Sequence, residues 1–330
     1  MQEKMNQMLH LAMQHEATDI HFVVKSGIVK VSMRGLFGME DIFCPALDLS
    51  LFHYLKYLSN LDLGNQSVPQ SGNFQYKYQD ELLYFRFSLL TTLQMQTAVL
   101  RILNNHEEFS LEQLTNDKKQ IASFLNWTKA RSGLIVFSGP TGSGKTTTLH
   151  AILHQIAKGH RLNVVSLEDP IEIFDDSYLQ LQINERSNFT YEEGIKQLMR
   201  HDPDVIMIGE IRDPKSAQML LRSALSGHLI FTTIHAKCCM EAIKRLNEFG
   251  LSNDDLLHTL SAVVSQRLYP RKSRKGRICI YEIMEQENLC YCLTQRKEKE
   301  GYQNIFQRIK EYVACDEIAY KEAEADLITQ

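Results

Sequence analysis

The chain has 330 residues, of which 44% are hydrophobic and 23% charged, and its formal net charge is −4. This length exceeds one ordinary domain and fits two, each with its own core. The net charge gives no whole-protein attraction for DNA or for an anionic membrane, so no direct binding of nucleic acid is expected. No apolar run approaches the ~18 residues that cross a bilayer. The polar N-terminus, MQEKMNQMLHLAMQHEATD, lacks the apolar centre of a signal peptide, so the sequence predicts a cytosolic protein.

Seven cysteines are scattered along the chain without the paired CxxC motifs of a structural zinc site. An odd number of cysteines in a cytosolic chain indicates reduced thiols that are mostly packed as small apolar groups. The neighbours Cys238 and Cys239 and the pair Cys290 and Cys292 are interpreted in this way, and not as a redox centre.

Residues 1–105 predict a small α/β domain. Amphipathic spacing indicates helices at Met5–His15 and Leu47–Leu61. Alternating or β-branched residues indicate strands at Asp19–Val24, Ile28–Arg34 and Tyr84–Ser88. A polar stretch without a strong pattern follows, and residues 106–118 within it are interpreted as an interdomain linker.

Residues 119–330 predict a second domain, in which β-branched runs alternate with helices. This alternation is typical of a mostly parallel sheet with crossover helices. Strands are predicted at Leu134–Ser138, Val164–Leu167, Val205–Ile208 and Leu229–Thr233. Helices are predicted from Lys145, from Tyr191 and from Pro214, and at Met240–Phe249, Asp254–Leu268 and Phe306–Leu327.

The first of these strands runs directly into a complete GxxxxGK[ST] motif. Glycines let backbone N–H groups turn inward around a phosphate where a Cβ would clash, and the following helix directs its positive end at the same oxygens. Lys145 is expected to reach the β- and γ-phosphates, and the Thr146 hydroxyl to bind Mg²⁺. The sequence therefore predicts a site for ATP and Mg²⁺, formed by Gly139, Pro140, Thr141, Gly142, Ser143, Gly144, Lys145, Thr146 and Thr147.

Further motifs follow the P-loop in order. SLEDPIE spans Ser166–Glu172, GEIRD spans Gly209–Asp213 at the end of an apolar strand, and SGHLIFTTIH spans Ser226–His235. With the P-loop, this series resembles the secretion and type IV pilus ATPase family, whose motifs are a Walker A loop, an Asp box, a Walker B strand and a His box. The resemblance covers Ala130–Glu285 and implies a RecA-like P-loop ATPase domain.

The N-terminal residues resemble the second N-terminal domain of the same family. Ala17–His21 is similar to its ASDIH signature, and Arg86 and Arg101 stand in segments that resemble its two arginine-bearing strands. The chain carries neither the additional leading domain nor the tetracysteine insert of the longer secretion ATPases. In this it is most similar to the short competence ATPases of Gram-positive bacteria.

The resemblance also implies partners and a place of action. It implies a homo-oligomer, in the form of a hexamer, at the cytoplasmic face of the membrane. The ring would work with an integral membrane platform protein and drive assembly of a pilus-like filament for DNA uptake.

Hydrolysis needs a group that orients water in line with the γ-phosphate, and positive charge that stabilises the transition state. Glu168, at the end of a strand, is the predicted water-orienting residue, and Glu172 is the alternative. Glu210 follows the Walker B strand and is predicted to bind Mg²⁺ through water, because a buried glutamate at a strand end is costly without a cation.

Histidines and arginines complete the predicted site. His228 and His235 flank the strand Leu229–Thr233, and this placement favours sensing of the γ-phosphate over an ordinary core role. No third ligand is spaced to make the two histidines a metal site. Arg86 and Arg101 are either charges on the surface of a sheet or arginine fingers, which typically contribute ~10³–10⁵ in rate. The resemblance favours the second interpretation.

Several functions stay open at this point. The first is an ATP-driven motor that assembles a filament, with a retraction motor as its variant. The second is a nucleotide-gated scaffold with weak hydrolysis, although Lys145, Glu168 and Glu210 together favour turnover. The third is a DNA translocase, against which the net charge of −4 counts. The basic run Arg271–Arg277 resembles a patch that binds nucleic acid or a membrane surface. It is interpreted instead as a solvated turn, with an acidic partner loop as the next choice.

Overall fold

A computed structural model describes residues 1–35, 38–64, 68–103, 110–159, 162–184, 189–272 and 276–328. The chain divides into two compact units, Met1–Glu107 and Glu108–Gln330, each with buried hydrophobic clusters of its own. Residues 110–118 of the predicted linker include a short helix, and its Leu111 is buried in a core cluster of the second unit. Residues 106–109 of that linker lie outside the described residues.

The N-terminal unit contains a six-stranded sheet in which every described strand pair is antiparallel. The strands lie in the order β3-β2-β1-β6-β5-β4. The described elements are α1 (Gln2–Gln14), β1 (Asp19–Lys25), β2 (Ile28–Gly35), β3 (Gly38–Ile42), α2 (Leu49–Leu58), β4 (Gln70–Tyr78), β5 (Glu81–Thr91) and β6 (Met95–Leu103). The α/β content predicted for this part of the chain is confirmed.

The core of this unit lies on one face of the sheet. Side chains alternate along β1, so that Ile20 and Phe22 are buried among the side chains of α1 and α2. Phe22, Phe52 and Phe87 form a ring cluster with centroids 5.9–6.4 Å apart. The residues between the buried ones point to the opposite face, where most of the charged side chains of β1, β5 and β6 are found.

The second unit is built on a seven-stranded sheet with the strand order β13-β12-β7-β11-β10-β8-β9. Its described elements are α3 (Leu111–Leu114), α4 (Lys118–Trp127), β7 (Gly133–Ser138), α5 (Lys145–Ala157), β8 (Val164–Glu168), β9 (Leu179–Gln182), α6 (Tyr191–Leu198), β10 (Val205–Ile208), α7 (Pro214–Leu225), β11 (Leu229–Ile234), α8 (Cys239–Glu248), α9 (Asn253–Thr259), β12 (Leu260–Pro270), β13 (Arg277–Glu285), α10 (Gln286–Gln295), α11 (Ile305–Ala314) and α12 (Tyr320–Ile328).

The strands from β12 through to β9 pair in parallel, and β13 pairs antiparallel with β12. All residues of β7, β8, β10 and β11 are buried, as expected of parallel strands that are covered on both faces. The predicted mostly parallel sheet is confirmed. Because β7, β11, β10 and β8 run in the same direction, the residues that follow them meet at one edge of the sheet.

One predicted helix is wrong over most of its length. Asp254–Leu268 was expected to be helical, but α9 ends at Thr259 and the chain continues as β12. The reason is non-local: Leu260–Ser265 pairs in parallel with β7, and Ala262–Pro270 pairs with β13. The consecutive apolar residues Ala262, Val263 and Val264 suit a strand buried on both faces as well as a buried helix.

The C-terminal helix is also divided. Phe306–Leu327 was predicted to be helical, and it forms the two helices α11 and α12, which are separated by a turn in which Asp316 has a φ of +61°. Asp316 and Glu317 in this turn form ion pairs with Lys272 and Arg271. Arg271 and Lys272, in the described part of the basic run, are therefore paired to an acidic neighbouring turn. Residues 273–275 of the basic run lie outside the described residues.

The helices within the described ranges are short. The α1 and α5 helices have 13 residues each, whereas a membrane-spanning helix needs about 20 apolar residues. None of the described helices combines the length and the apolar character needed to cross a bilayer.

Candidate nucleotide-binding site

The P-loop joins β7 to α5 at the carboxyl edge of the parallel sheet. Gly139 and Gly144 have φ values of 144° and 83°, which favour glycine. A Cβ at Gly139 would lie 2.5 Å from the carbonyl oxygen of Gln266, and a Cβ at Gly144 would lie 2.9 Å from the Nε2 atom of Gln266. The close approach of β12 and the backbone conformation thus both require glycine. The positive end of α5 points into this loop.

Lys145 begins α5 and turns back onto the loop. Its Nζ donates hydrogen bonds to the carbonyl oxygens of Gly139, at 2.8 Å, and Pro140, at 2.9 Å. Burial lowers the pKa of Lys145, and the charges of Glu210 and Glu172 raise it. The ammonium group therefore lies where it can exchange two neutral acceptors for phosphate oxygens, with which it would form stronger, charge-assisted bonds.

The rest of the loop fits a polyphosphate. Ser143 is 3% exposed, and its buried Oγ has no hydrogen-bond partner among the described residues. Thr146 and Thr147, in the first turn of α5, are half-buried. The side chain of Gln266 supports the loop from the sheet side, because its Nε2 donates to the carbonyl oxygen of Ser143 at 2.7 Å. All nine residues predicted for nucleotide binding lie in this loop and the start of its helix.

Glu210 lies at the same edge, two residues after β10 ends. Its side chain is 19% exposed; one oxygen accepts from Arg212 Nε at 2.9 Å, and the other lies 3.2 Å from His235 Nε2. The parallel pairing of β10 with β11 brings the residues after the two strands together. Glu210 contacts His235, and its charge raises the pKa of Lys145; we call these three residues the cluster at the sheet edge.

Glu168 lies at the end of its strand, as predicted, and is buried there. It is the last residue of β8 and is 3% exposed. One oxygen accepts from Ser166 Oγ at 2.6 Å and Gln180 Nε2 at 3.2 Å, and the other lies 3.2 Å from His150 Nε2. His150 belongs to α5. These contacts engage both oxygens of Glu168 with buried groups and join α5 to β8.

Glu172, the alternative to Glu168, is exposed in the loop that follows β8. Its charge acts on Lys145, where it raises the pKa. Asp169, in the same loop, accepts from Arg212 Nη1 at 3.4 Å. Arg212 thus joins the loop after β8 to Glu210.

His228 does not reach the phosphate site of its own chain. Its carbonyl oxygen accepts from the Gly133 amide at the start of β7, and its Nδ1 lies 2.9 Å from the carbonyl oxygen of Ser223. The strand β11 separates it from His235, and six residues at about 3.3 Å each span about 20 Å. The predicted phosphate-sensing role of His228 therefore has no geometric support within one subunit.

Arg86 and Arg101 lie side by side in the N-terminal unit. They are direct cross-strand partners on β5 and β6, and Arg101 is in turn opposite Asp19 on β1. Directly opposite residues share a face of the sheet. Arg101 Nε donates to the buried Asp19 Oδ1 at 2.7 Å, while its side chain stays 51% exposed. Arg34 is opposite Asp19 on the other side, so three arginines cross this face in one row.

Gln266 and Arg267 are site residues that the sequence analysis missed. Both are buried on β12, and the charge of Arg267 acts on the pKa of Lys145. They were missed because the sequence analysis assigned Asp254–Leu268 to a helix, so it did not place them on a strand of the sheet. The signal that could have found them is the run Ala262–Val264, which suits a buried strand as well as a helix.

Fold and P-loop together define a P-loop ATPase, and Lys145, Glu210 and His235 lie at the edge of the sheet that carries the loop. The model of the family described as "Type II/IV secretion system protein" matches residues 1–325. The chain is 33% identical to the competence protein ComGA of Bacillus subtilis over 93% of this chain and 89% of the relative. It is 34% identical to ComGA of Halalkalibacterium halodurans over 86% of this chain and 87% of the relative. The chain belongs to the type II/IV secretion system protein family.

Solved structures show the same fold. The ATPase DotB of Legionella pneumophila superposes with a TM-score of 0.80 at 18% identity, covering 99% of this chain and 95% of that chain. The pilus retraction motor PilT, solved with bound ADP, superposes with a TM-score of 0.77 at 24% identity, covering 97% of this chain and 96% of that chain. At these identities the likeness supports the fold alone.

Proposed function

We propose that this chain is the motor ATPase that drives assembly of a competence pseudopilus, a type IV pilus-like filament for DNA uptake. The observation that carries the proposal is the cluster of Lys145, Glu210 and His235 beside a complete P-loop. It occurs in a chain that aligns with two competence proteins over most of its length.

The substrate of the proposed reaction is ATP with Mg²⁺. Lys145 releases the carbonyl oxygens of Gly139 and Pro140 and binds the β- and γ-phosphates, while backbone amides of the loop hold the same oxygens. The Thr146 hydroxyl is suited to bind Mg²⁺, and Glu210 to hold it through water. Each of these groups belongs to the P-loop or to the strand edge beside it.

Glu210 is also the carboxylate best suited to orient the attacking water. It is partly exposed, and its partners are two side chains that can move, Arg212 and His235. Glu168 lacks this access, because its oxygens are held by Ser166, Gln180 and His150 in a buried network. Release of His235 from Glu210 when the γ-phosphate arrives would give His235 its sensing role.

Arg86 and Arg101 are proposed to supply the positive charge that stabilises the transition state. The contact that supports this is the ion pair of Arg101 Nε with Asp19, which holds the guanidinium through one nitrogen. Among the described residues, the hydrogen bond of the Arg101 guanidinium to Asp19 uses Nε alone, which leaves the two terminal nitrogens able to donate to an anion. Arg86 stands directly beside it.

The proposed working form is a hexamer at the cytoplasmic face of the membrane. There it would pass ATP-driven movement to an integral membrane platform protein. An acidic net charge of −4 argues against direct handling of the DNA. A retraction motor is the alternative, but identity to the competence proteins, at 33–34%, exceeds the 24% identity to the retraction motor.

The test is complementation. The wild-type chain is produced in a naturally competent bacterium that lacks its own competence ATPase, and pseudopilus formation and DNA uptake are measured. Restoration by wild type but not by Lys145→Ala or Glu210→Gln supports the assembly motor. Pili that form normally without the chain but fail to shorten would identify a retraction motor. Pseudopili restored equally by Glu210→Gln would identify a scaffold. In vitro turnover that requires DNA would instead indicate a translocase.

A further inference from the structure

The strand β12 extends beyond its neighbour β7 and reaches the loops of the nucleotide site. Ser265 is the last residue of β12 that pairs with β7, opposite Ser138, and β12 continues to Pro270. The next two residues, Gln266 and Arg267, therefore stand beside the loops that follow β7 and β11. They are 1% and 4% exposed, which is unusual for an arginine.

Arg267 uses all of its nitrogens in hydrogen bonds. Nε donates to Asp326 Oδ1 at 2.7 Å, Nη1 to the carbonyl oxygen of Gln266 at 3.1 Å, and Nη2 to the carbonyl oxygen of Lys237 at 3.0 Å. A buried guanidinium is retained at low cost only when its charge and its donors are all compensated. Asp326 supplies that charge.

The carbonyl oxygen of Lys237 lies in the turn that carries His235. This turn joins β11 to α8, and Lys237 is two residues after His235. Ser265 Oγ donates to the same carbonyl oxygen at 3.3 Å. Since His235 Nε2 lies 3.2 Å from Glu210, the bonds from β12 fix the backbone that presents His235 within the cluster at the sheet edge.

Asp326 belongs to α12, near the C-terminus. Its Oδ2 accepts from Tyr269 Oη at 2.6 Å, in addition to the bond from Arg267. Ala323 is the fully buried side chain of this helix. The polar bonds of Asp326 are thus a main attachment of α12 to β12.

We propose that Arg267 is a positioning residue for hydrolysis and that α12 acts through it. Asp326 holds Arg267, Arg267 holds the turn at Lys237, and the turn presents His235 to the site beside Glu210. The inference rests on the proposed roles of His235 and Glu210. It adds that the C-terminal helix α12, which is bonded to β12 through Asp326, influences the rate of the chemical step.

The test compares Asp326→Asn with a matched control in the full chain. Glu324→Gln removes one negative charge from an exposed position of the same helix without touching Arg267. Steady-state ATP turnover, ADP affinity and thermal stability are measured for both variants. Asp326→Asn is expected to lower kcat about 10- to 100-fold, the scale of a small misplacement of a catalytic group. KM and ADP affinity should stay within about twofold, because the P-loop is held by Gln266.

Further readouts separate positioning from general damage. Hydrogen exchange of residues 235–241 should become faster in Asp326→Asn and not in Glu324→Gln, and Asp326→Glu should restore part of the turnover. An Asp326→Asn protein with wild-type turnover would overturn the proposal. Exchange of this turn that stays unchanged while turnover falls would overturn it as well.

A second variant covers the case in which Asp326→Asn does not fold. Tyr269→Phe removes one bond to Asp326 and keeps the charge pair, so a smaller fall in kcat is expected, and wild-type kcat would overturn the proposal. If the wild-type chain itself hydrolyses no ATP, the proposed function fails. The exchange measurement then still decides whether α12 controls the turn.

Discussion

The ammonium group of Lys145 donates hydrogen bonds to two carbonyl oxygens, which phosphate oxygens would replace in the proposed site. Lys145→Ala should weaken ATP binding by about 10- to 100-fold, because a charge-assisted hydrogen bond contributes about 1.5–3 kcal/mol. Fluorescent-nucleotide titration measures the effect. Lys244→Ala, at an exposed position of α8, is the matched control and should bind normally. Equal affinity of the Lys145→Ala protein and wild type would contradict the P-loop assignment.

Substitutions of Glu168 and Glu210 should differ in their effects on ATP turnover and on thermal stability. Glu210→Gln is expected to keep nucleotide binding and to lower kcat by about 10²–10⁴, the range that a general acid–base group contributes. Glu168→Gln should lower kcat less and the melting temperature more, because Glu168 joins Ser166 and Gln180 to His150 of α5. Turnover and thermal melting of both variants are the measurements. The reverse ranking in turnover would return the water-orienting role to Glu168.

At the scale of elements, Glu282 on β13 holds the starts of two helices. It is fully buried; Oε2 accepts from the amides of Cys239, at 3.3 Å, and Ile305, at 3.1 Å, and Oε1 accepts from Tyr302 Oη at 3.2 Å. Cys239 begins α8 and Ile305 begins α11. Burial raises the pKa of Glu282 above its ordinary value of 4.5, although the two helix starts partly offset this.

The raised pKa of Glu282 predicts a pH dependence with a definite sign. The folded state binds this proton more tightly than the unfolded state, so the contribution of Glu282 to stability is full below 4.5 and is lost as pH rises through the folded pKa. Glu282→Gln cannot ionise and keeps the size of the side chain. Its melting temperature relative to wild type should therefore increase from pH 5 to pH 8. A difference that does not change with pH would show that Glu282 has no raised pKa.

Sequence patterns within a short segment were enough to predict some elements of the fold and of the site. The P-loop and the central strands were predictable, because a complete motif and apolar β-branched runs need no distant partner. The strand β12 was not, since its pairing with β7 and β13 decides its state. The burial of Glu168 was also hidden, because His150 and Gln180 approach it from other elements. The position of His228 could have been predicted from the sequence. His228 precedes a parallel strand, whereas the P-loop follows one, so the two lie at opposite edges of the sheet.

At the scale of the whole molecule, the two units have separate cores, which allows them to be tested apart. A chain that begins at Ser110 keeps α3, whose Leu111 is buried in the second unit. Residues 110–330 should bind nucleotide with affinity near wild type. They should hydrolyse ATP very slowly, because Arg86 and Arg101 are missing and an arginine finger contributes about 10³–10⁵ in rate.

Steady-state ATP turnover also tests Arg86 and Arg101 in the full chain. Arg86→Ala and Arg101→Ala should each lower kcat and leave the fold intact, and Lys77→Ala, an exposed residue of β4, is the control. Residues 110–330 that turn over ATP as fast as the full chain would show that the arginines do not act. The N-terminal unit would then be an adaptor with no part in hydrolysis.

The row of arginines across the N-terminal sheet has a consequence for the ionic surroundings of this unit. Arg86 and Arg101 stand directly opposite each other, and like charges in that arrangement repel, while Asp19 is the acidic group facing the row. The Debye length falls from about 10 Å at 0.1 M to about 3 Å at 1 M, so rising salt increasingly screens the repulsion between these neighbouring exposed charges. Residues 1–103 alone should therefore melt at a higher temperature as sodium chloride is added. Sulfate at equal ionic strength should raise it further if the row binds anions, and equal shifts with both salts would indicate screening alone.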